Sequence, residues 1–216
     1  MRNDIRHTVE ILIKEVKACI VDDEIQSYKA SPILKKIDEF LGLNLDDELD
    51  TLQFLYDTYY FIGEMYRRMG RMSVAAIHEE KALDYALKLY HNYEIKIKYV
   101  DDLLYKIMRD RNFYVNDECY DVLDKVRSSH MIDPNVIEQI DGRVKNNRRS
   151  LKHDPVEMSK EYLAVIDEVE EKIEQNRTLR GMGSCHEIWA LKAEYLAEKG
   201  ITWRSPSMLN PNVMFD

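Results

Sequence analysis

The sequence predicts an all-α protein, and three observations lead to this expectation. Its 216 residues include only seven glycines and five prolines, about half the share of these two residues in average proteins. Apolar residues recur at steps of three and four along most of the chain, which is the spacing of one face of a helix. No segment alternates apolar and polar residues next to turn dipeptides, so no β-sheet is expected.

About nine helices joined by short loops account for the apolar pattern. They are expected at about residues 4–21, 32–42, 46–69, 73–90, 94–110, 117–128, 133–144, 154–173 and 185–199.

Apolar stripes and end signals place the first four helices. The stripe of the first helix consists of Ile5, Val9, Leu12, Ile13, Val16 and Ile20. Ser31 followed by Pro32 indicates an N-cap with proline at the first helical position of the second helix. The acidic residues between Asp46 and Asp50 suit the positive end of a helix dipole, so they begin the third helix. Gly70 ends it, and the fourth helix follows.

Apolar steps and proline place the next four helices. Residues 94–110 and 117–128 are assigned from apolar steps alone. The pairs Asp133-Pro134 and Asp154-Pro155 then each begin a helix, because aspartate caps a helix and proline suits its first position.

The charge distribution argues against a nucleic-acid partner. The formal net charge is −9, with acidic ends, a neutral middle and no basic stripe that could follow a phosphate backbone. The densest basic cluster is Lys145, Arg148, Arg149 and Lys152. We interpret this cluster as a solvated helix end and the loop after it.

The cysteines and the amino terminus favour a cytoplasmic protein. Cys19, Cys119 and Cys185 are too few, and odd in number, for a secreted disulfide scaffold. The first two lie on apolar faces and are expected in the core. No signal peptide is apparent at the amino terminus, and no apolar run approaches the roughly 18 residues of a membrane span. We therefore expect a cytoplasmic location.

One segment resembles a known repeat. Small and aromatic residues stand at fixed spacing in Tyr59, Ile62, Gly63, Tyr66, Gly70, Ala75, Ala82 and Leu83. This pattern, at about residues 56–90, resembles the tetratricopeptide repeat. Gly63 and Ala75 are small where the two helices of such a repeat approach most closely, and Gly70 suits the left-handed turn between them.

The resemblance implies an architecture. A repeat needs stacked neighbours to bury its apolar face, so we expect a curved, right-handed superhelix of helical hairpins with one recognisable repeat. Residues 1–200 would form this single domain, and residues 201–216 an extended segment packed on it.

The resemblance also implies a binding groove lined by the first helix of the repeat. Its groove-facing positions here are Asp57, Tyr60, Glu64, Arg67 and Arg68. The leading hypothesis is a non-enzymatic module that binds a peptide or protein segment there. The Lys/Asn clamp of the chaperone-tail members is missing, because its positions hold Tyr60, Phe61 and Glu64. Alternatively, these residues pack against the next hairpin or face water.

A second hypothesis concerns the start of the last helix. Ser184 and Glu187 have capping-box spacing, so this helix is expected to begin at Cys185 and to stop at Gly200. Free backbone N–H groups at a helix start favour a thiolate or a bound anion, which makes Cys185 and His186 candidate catalytic residues. Adjacent helical residues point about 100° apart, so His186 is poorly aimed as a base for Cys185.

The wider form of this hypothesis is a ligand or anion pocket of an enzyme or small-ligand binder. Its residues would be Ser184, Cys185, His186, Trp189 and Arg204, with Arg180 adding charge. The alternative is an ordinary helix start without chemistry.

The last sixteen residues, 201–216, combine two prolines with several large apolar side chains. Such a segment cannot form a regular helix and is too apolar for a solvated tail, so we expect a strap packed on the helices. It could instead lie in the groove or cross to a second chain in a homodimer. The histidines lack zinc spacing and no phosphate-binding glycine loop occurs, so neither a metal nor a cofactor is predicted.

Overall fold

The computed structural model describes residues 3–21, 23–42, 47–115, 119–146, 151–179, 181 and 183–215. Over these ranges the chain forms ten α-helices: α1 (Asn3–Ala18), α2 (Ser27–Leu41), α3 (Leu49–Arg68), α4 (Met72–Tyr93), α5 (Val100–Val115), α6 (Tyr120–Ser129), α7 (Pro134–Asn146), α8 (Lys160–Asn176), α9 (Ser184–Glu198) and α10 (Pro206–Leu209). A 3-10 helix (Pro155–Met158) precedes α8, and two short strands, β1 (Ile20–Val21) and β2 (Glu24–Ile25), follow α1. The all-α expectation is thus confirmed.

The hairpin of α3 and α4 forms the centre of the molecule. Gly70 adopts a left-handed conformation (φ 74°), which lets the chain reverse within the three residues that join the two helices. Gly63 lies where the helices approach most closely: a Cβ there would stand 2.6 Å from Cγ of Glu79. Ala75, whose carbonyl oxygen would also contact that Cβ, is fully buried. The predicted roles of these three residues are confirmed.

The described chain buries two separate hydrophobic clusters. The first extends from α1 to α7, from Ile5 to Val144, and contains Cys19 and Cys119 as predicted. The second is formed by α8, α9 and the strap: Tyr162, Ile166, Val169, Ile173, Tyr195, Leu196, Ile201 and Trp203. Residues on both sides of position 200 therefore share one core. We call α1 to α7 the first region, and α8, α9 and the strap the second region. Helix α2 packs on α8 and so joins the two regions.

The expectation that the chain has no sheet is wrong in one place. Strands β1 and β2 pair antiparallel, Ile20 with Ile25 and Val21 with Glu24. Asp23, at the turn between them, has a left-handed φ of 63°. The chain reverses directly after α1, so four residues form a ladder too short for alternation to reveal.

The predicted start of the second helix is also wrong. Helix α2 begins at Ser27 and contains Pro32 in its interior. Ser31 does not cap the helix, because it is fully buried and its hydroxyl bonds across to Asp167 of α8 and accepts a bond from Arg71. Tertiary contacts thus use the side chain that the sequence assigned to a cap. The end of α2 before Gly42 is as predicted.

Two further helix starts lie later than predicted. The helix expected from residue 94 begins at Val100, because Glu94 and Tyr99 have left-handed φ values of 57° and 65°. Asp154-Pro155 begins only the 3-10 helix, and the hydroxyl of Ser159 then caps α8 by accepting from the Tyr162 N–H.

Other starts need smaller adjustments. Helix α7 begins at Pro134 as predicted, and α3 begins at Leu49 with Asp50 in its first turn. The predicted starts at Asp46 and residue 117 lie outside the described residues, as do Arg148 and Arg149 of the basic cluster. No helix in the described ranges is long and apolar enough to cross a membrane.

Candidate functional site

The predicted groove residue Arg67 lies inside a buried ion cluster. Its guanidinium donates to both carboxylate oxygens of Glu79 on α4, the shorter bond being 2.6 Å, and to Asp110 on α5 at 2.5 Å. Both carboxylates are fully buried. Burial by itself would lower the pKa of Arg67, but its bonds to Glu79 and the charge of Asp110 raise it overall. Arg67 thus joins three helices as a permanent cation.

Two more predicted groove residues contact α5. The ammonium of Lys106 donates to Glu64 at 2.5 Å and to the hydroxyl of Tyr60 at 3.4 Å. Asp57 and Arg68 are exposed, and Arg68 donates to the backbone oxygen of Asp23. Tyr60, Glu64 and Arg67 therefore contact the next helix, α5, in line with the alternative that they pack against the following element.

The residues at the start of α9 are arranged differently from the prediction. Gly183, with φ 82°, precedes the helix, which begins at Ser184 without a side-chain cap. The predicted capping box is absent because the carboxylate of Glu187 accepts bonds from the backbone N–H groups of Thr178 and Leu179. Glu187 thus ties the loop after α8 to α9.

The structure brings together only part of the predicted ligand pocket. The ring of Trp189 makes edge contacts with His186 and Phe215, at centroid distances of 5.4 and 5.0 Å. Nε2 of His186 lies 3.2 Å from the carbonyl oxygen of Phe215. Cys185 in the same turn is half-buried. The end of the strap therefore packs beside this helix start.

Arg204 bonds to Asp154 and not to a residue of the predicted pocket. Arg180 lies outside the described residues. The backbone N–H and Nε of Arg204 both donate to Asp154, at 2.8 and 3.1 Å. The neighbouring Trp203 is buried, and its Nε1 donates to Glu157 at 2.7 Å. The bonds made by Trp203 and Arg204 thus fasten the strap to the 3-10 helix.

Sequence reasoning missed two adjoining cavities between the two regions. We call the smaller one the inner chamber; it measures about 150 Å³ and is lined among others by Arg71, His153, Glu157, Tyr162, Lys192 and Trp203. We call the larger one the outer cleft; it measures about 530 Å³ and is lined among others by Val21, Glu24, Ile25, Ile173, Arg177 and Ile188. Met69, Glu170, Trp189 and Lys192 line both, so the two cavities meet at these residues.

Lys192 on α9 is a half-buried cation with few polar partners. Its side chain is 17% exposed, and Nζ lies 4.0 Å from Oε1 of Glu157. The rings of Trp203 and Tyr162 lie 4.7 and 5.3 Å from the same nitrogen. Burial lowers the pKa of Lys192 below its ordinary value; Glu157 and Glu170 oppose this shift and Arg71 adds to it.

His153 and Glu157 extend this polar group along the chamber wall. Nδ1 of His153 lies 3.8 Å from Oε2 of Glu157. Burial lowers the pKa of His153, while the negative charges of Glu157 and Asp110 oppose that shift. An amine, a carboxylate and an imidazole therefore lie next to one another beside the inner chamber, at separations longer than direct hydrogen bonds.

Arg71, which also lines the inner chamber, has several polar partners. Its guanidinium pairs with Asp167 at 2.7 Å and Glu170 at 2.6 Å, and donates to the hydroxyl of Ser31 at 2.8 Å. Burial alone would raise the pKa of Asp167, but Arg71 and Lys35 lower it. These bonds connect the turn before α4 with α2 and α8, so the cavities have a fixed rather than a loose frame.

One sequence signal could have pointed to Lys192. On a helix, positions three and four apart share a face, and Lys192 stands between Trp189 and the buried pair Tyr195 and Leu196. A lysine on the apolar stripe of a helix indicates either a buried ion pair or a functional amine.

Neither a metal-binding cluster in the described residues nor similarity to a known protein identifies the site. No group of His, Cys, Asp or Glu in the described part of the chain could hold a metal ion. No family model matches the sequence, and no curated protein or solved structure is significantly similar to it.

Proposed function

We propose that this chain is a scaffold of stacked helical hairpins, similar to tetratricopeptide repeats, that binds a short apolar segment of another protein in the outer cleft. The close approach at Gly63 and the left-handed turn at Gly70 support the interpretation of α3 and α4 as a hairpin similar to a tetratricopeptide repeat. The observation that carries the binding proposal is the outer cleft itself, whose volume of about 530 Å³ falls in the range of ligand sites.

The lining of the outer cleft suits such a segment. Ile25, Ile173 and Ile188 provide apolar contact area. Two of the charged side chains that line it are paired, Arg177 with Glu174 at 2.7 Å and Glu170 with Arg71. A bound segment would therefore cover these two pairs without separating them, while Lys192 and Glu24, which also line the cleft, favour a polar group on the segment beside them.

The proposal moves the binding site away from the residues first expected to line it. Tyr60, Glu64 and Arg67 already contact α5, which leaves Asp57 and Arg68 as separate exposed residues. We do not favour the Cys185 hypothesis, because Arg204 is bound to Asp154 instead. A cytoplasmic location and a homodimer remain predictions from the sequence.

Selection from a phage-displayed random peptide library tests the proposal, with the full chain as bait. Val21 and Ile77 offer a matched pair of substitutions, because they are 50% and 46% exposed but only Val21 lines the outer cleft. Apolar peptides should be enriched, and Val21→Glu should weaken their binding about tenfold or more, which corresponds to about 1.4 kcal/mol. Ile77→Glu should leave binding unchanged.

Fluorescence polarisation of a labelled, selected peptide measures both affinities. If no peptide is enriched, the outer cleft is not a segment-binding site. Equal weakening by both variants, or weakening only by Ile77→Glu, would place binding elsewhere on the surface.

A further inference from the structure

The inner chamber holds an amine in surroundings unlike those of the other buried cations. Arg67 and Arg71 each donate hydrogen bonds to two acidic side chains or to an acid and a hydroxyl. The ammonium of Lys192 makes no hydrogen bond to any described residue, and its nearest carboxylate oxygen lies 4.0 Å away. The rings of Trp203 and Tyr162 lie 4.7 and 5.3 Å from Nζ, and Glu170 and Arg71 are further charged groups that act on it. Burial disfavours the ammonium form more than Glu157 and Glu170 favour it, so the pKa of Lys192 is lowered.

We propose that Lys192 is a nucleophilic amine that condenses with the carbonyl group of a small, neutral aldehyde bound in the inner chamber and forms an imine. Desolvation of a lysine in an apolar pocket is one of the recognised ways to activate it for this reaction. The proposal does not rest on segment binding: Lys192 lines both cavities, but the aldehyde would bind in the inner chamber, whereas Val21, the residue that tests segment binding, lines only the outer cleft.

The reaction needs no oxidant, reductant or further reactant. The lone pair of Nζ attacks the carbonyl carbon, a C–N bond forms, and the carbonyl π pair moves to oxygen, which takes up a proton while nitrogen loses one. The resulting carbinolamine expels its hydroxyl group as water after protonation, and nitrogen forms the C=N bond and loses its second proton. One amine and one aldehyde thus give one imine and one water.

Glu157 and His153 are the proton carriers nearest to Lys192. Glu157 lies 4.0 Å from Nζ, and His153 lies 3.8 Å from the other oxygen of that carboxylate, so protons would pass through water rather than along direct hydrogen bonds. Carboxylates and imidazoles are the usual proton carriers in such steps. Trp203 holds Glu157 in position by donating to its Oε1 at 2.7 Å.

The shape and charge of the chamber define the class of aldehyde. About 150 Å³ is the volume of an engineered protein cavity that binds benzene. The rings of Tyr162, Trp189 and Trp203 line it, and aromatic rings pack well against one another. Glu157 and Glu170 line the same chamber and disfavour a substrate with a carboxylate. A compact aromatic aldehyde fits these conditions.

Trapping with benzaldehyde and sodium cyanoborohydride tests the proposal in the full chain. The reagent reduces the imine to a stable benzyl-lysine, and mass spectrometry of the digested protein measures modification at each lysine. At pH 7 the initial rate at Lys192 should exceed that at the exposed Lys125, because a lowered pKa raises the fraction of neutral amine.

The pH profile and a variant provide the controls. The advantage of Lys192 should shrink as pH approaches about 10, where exposed lysines also lose their protons; Glu157, Glu170 and Arg71 are the charged groups that shape its titration. Lys192→Arg should abolish the preferential adduct while modification at Lys125 continues. Equal or slower modification of Lys192, or quenching of tryptophan fluorescence by benzaldehyde without an adduct at Lys192, would overturn the proposal.

Discussion

The two regions of the molecule give a largely buried cation very different partners. In the first region, Arg67 is held by the fully buried carboxylates of Glu79 and Asp110 at 2.6 and 2.5 Å. In the second region, Lys192 has one carboxylate oxygen at 4.0 Å and two aromatic rings. The first cation lies in a packed helix junction, and the second lines two cavities.

This difference in hydrogen bonding distinguishes the structural role of Arg67 from the chemical role proposed for Lys192. A buried charge with complete hydrogen bonding fixes the relative positions of helices, and removal of one partner leaves the others uncompensated. A buried amine without such bonds contributes little to the fold, and its charged form is disfavoured.

Replacing Arg67 should strongly destabilise the protein. Arg67→Met removes the only cation that the structure shows bonded to Glu79 in the described ranges and leaves two buried carboxylates without it. We expect a loss of about 3–5 kcal/mol in the free energy of unfolding, measured by urea denaturation. The exposed neighbour Arg68 provides the control, and Arg68→Met should change stability by less than about 1 kcal/mol. Equal effects would contradict a structural role for the cluster.

Replacing Asp154 should loosen the strap of the second region. The buried carboxylate accepts from the backbone N–H and Nε of Arg204 and from the Val156 N–H. Burial alone would raise the pKa of Asp154, but these bonds lower it below its ordinary value. Asp154→Asn should cost about 1–2 kcal/mol at neutral pH, since hydrogen bonds to charged groups contribute at this level.

The pH dependence identifies the cause of that loss. An ionised Asp154 with a lowered pKa stabilises the fold fully above about pH 4, and this contribution is lost as pH falls through the folded-state pKa. The difference between wild type and Asp154→Asn should therefore narrow on acidification below about pH 4. A constant difference from pH 7 to pH 2 would mean that packing, not charge, is responsible.

Adding a methyl group at Gly63 tests whether close approach is needed for the Arg67 cluster. The new Cβ would stand 2.6 Å from Cγ of Glu79, so this side chain must shift within a packed junction. Gly63→Ala should cost about 1–2 kcal/mol, as overpacked cores do. Gly142 in α7 is the matched control, because no atom lies within 4 Å of its added Cβ. Gly142→Ala should stabilise the protein by up to about 1 kcal/mol. A change in the free energy of unfolding of the same sign in both variants would contradict the need for close approach at Gly63.

Replacing Lys192 should have the smallest effect on stability. Lys192→Met keeps the apolar stem and removes an amine without hydrogen bonds, so stability at pH 7 should be unchanged or higher by up to about 1 kcal/mol. Because the folded-state pKa lies below the unfolded value, wild type gains stability as pH rises from the folded-state pKa toward about 10. The advantage of the variant should shrink over that range. A loss of more than about 2 kcal/mol at pH 7 would show that Lys192 is structural.

Local patterns in the sequence predicted much of the first region. Helical spacing, Gly70 and the Asp133-Pro134 pair located elements that the structure contains. The failures occurred where a side chain has a distant partner. Ser31 matched a cap but bonds to Asp167 on α8, and Glu187 matched a capping box but binds the loop at Thr178.

Contacts between distant parts of the chain, which the sequence did not predict, also decide the candidate site. Trp189, one of the predicted pocket residues, lines both cavities, but its expected neighbour Arg204 is bound to Asp154. Lys192 was overlooked because a lysine in a charged, helical sequence is usually exposed. Its burial follows from the strap, which brings Trp203 to within 4.7 Å of Nζ.

The sequence by itself determined the approximate positions of most helices and the turn at Gly70, because helical periodicity and a left-handed turn depend on residues near in the chain. Only the tertiary structure decided which charged side chains are paired and where cavities remain. Those outcomes depend on contacts such as Arg71 with Glu170 and Glu157 with Trp203. Desolvation of a charge is a property of everything packed around it, so residue spacing alone does not reveal it.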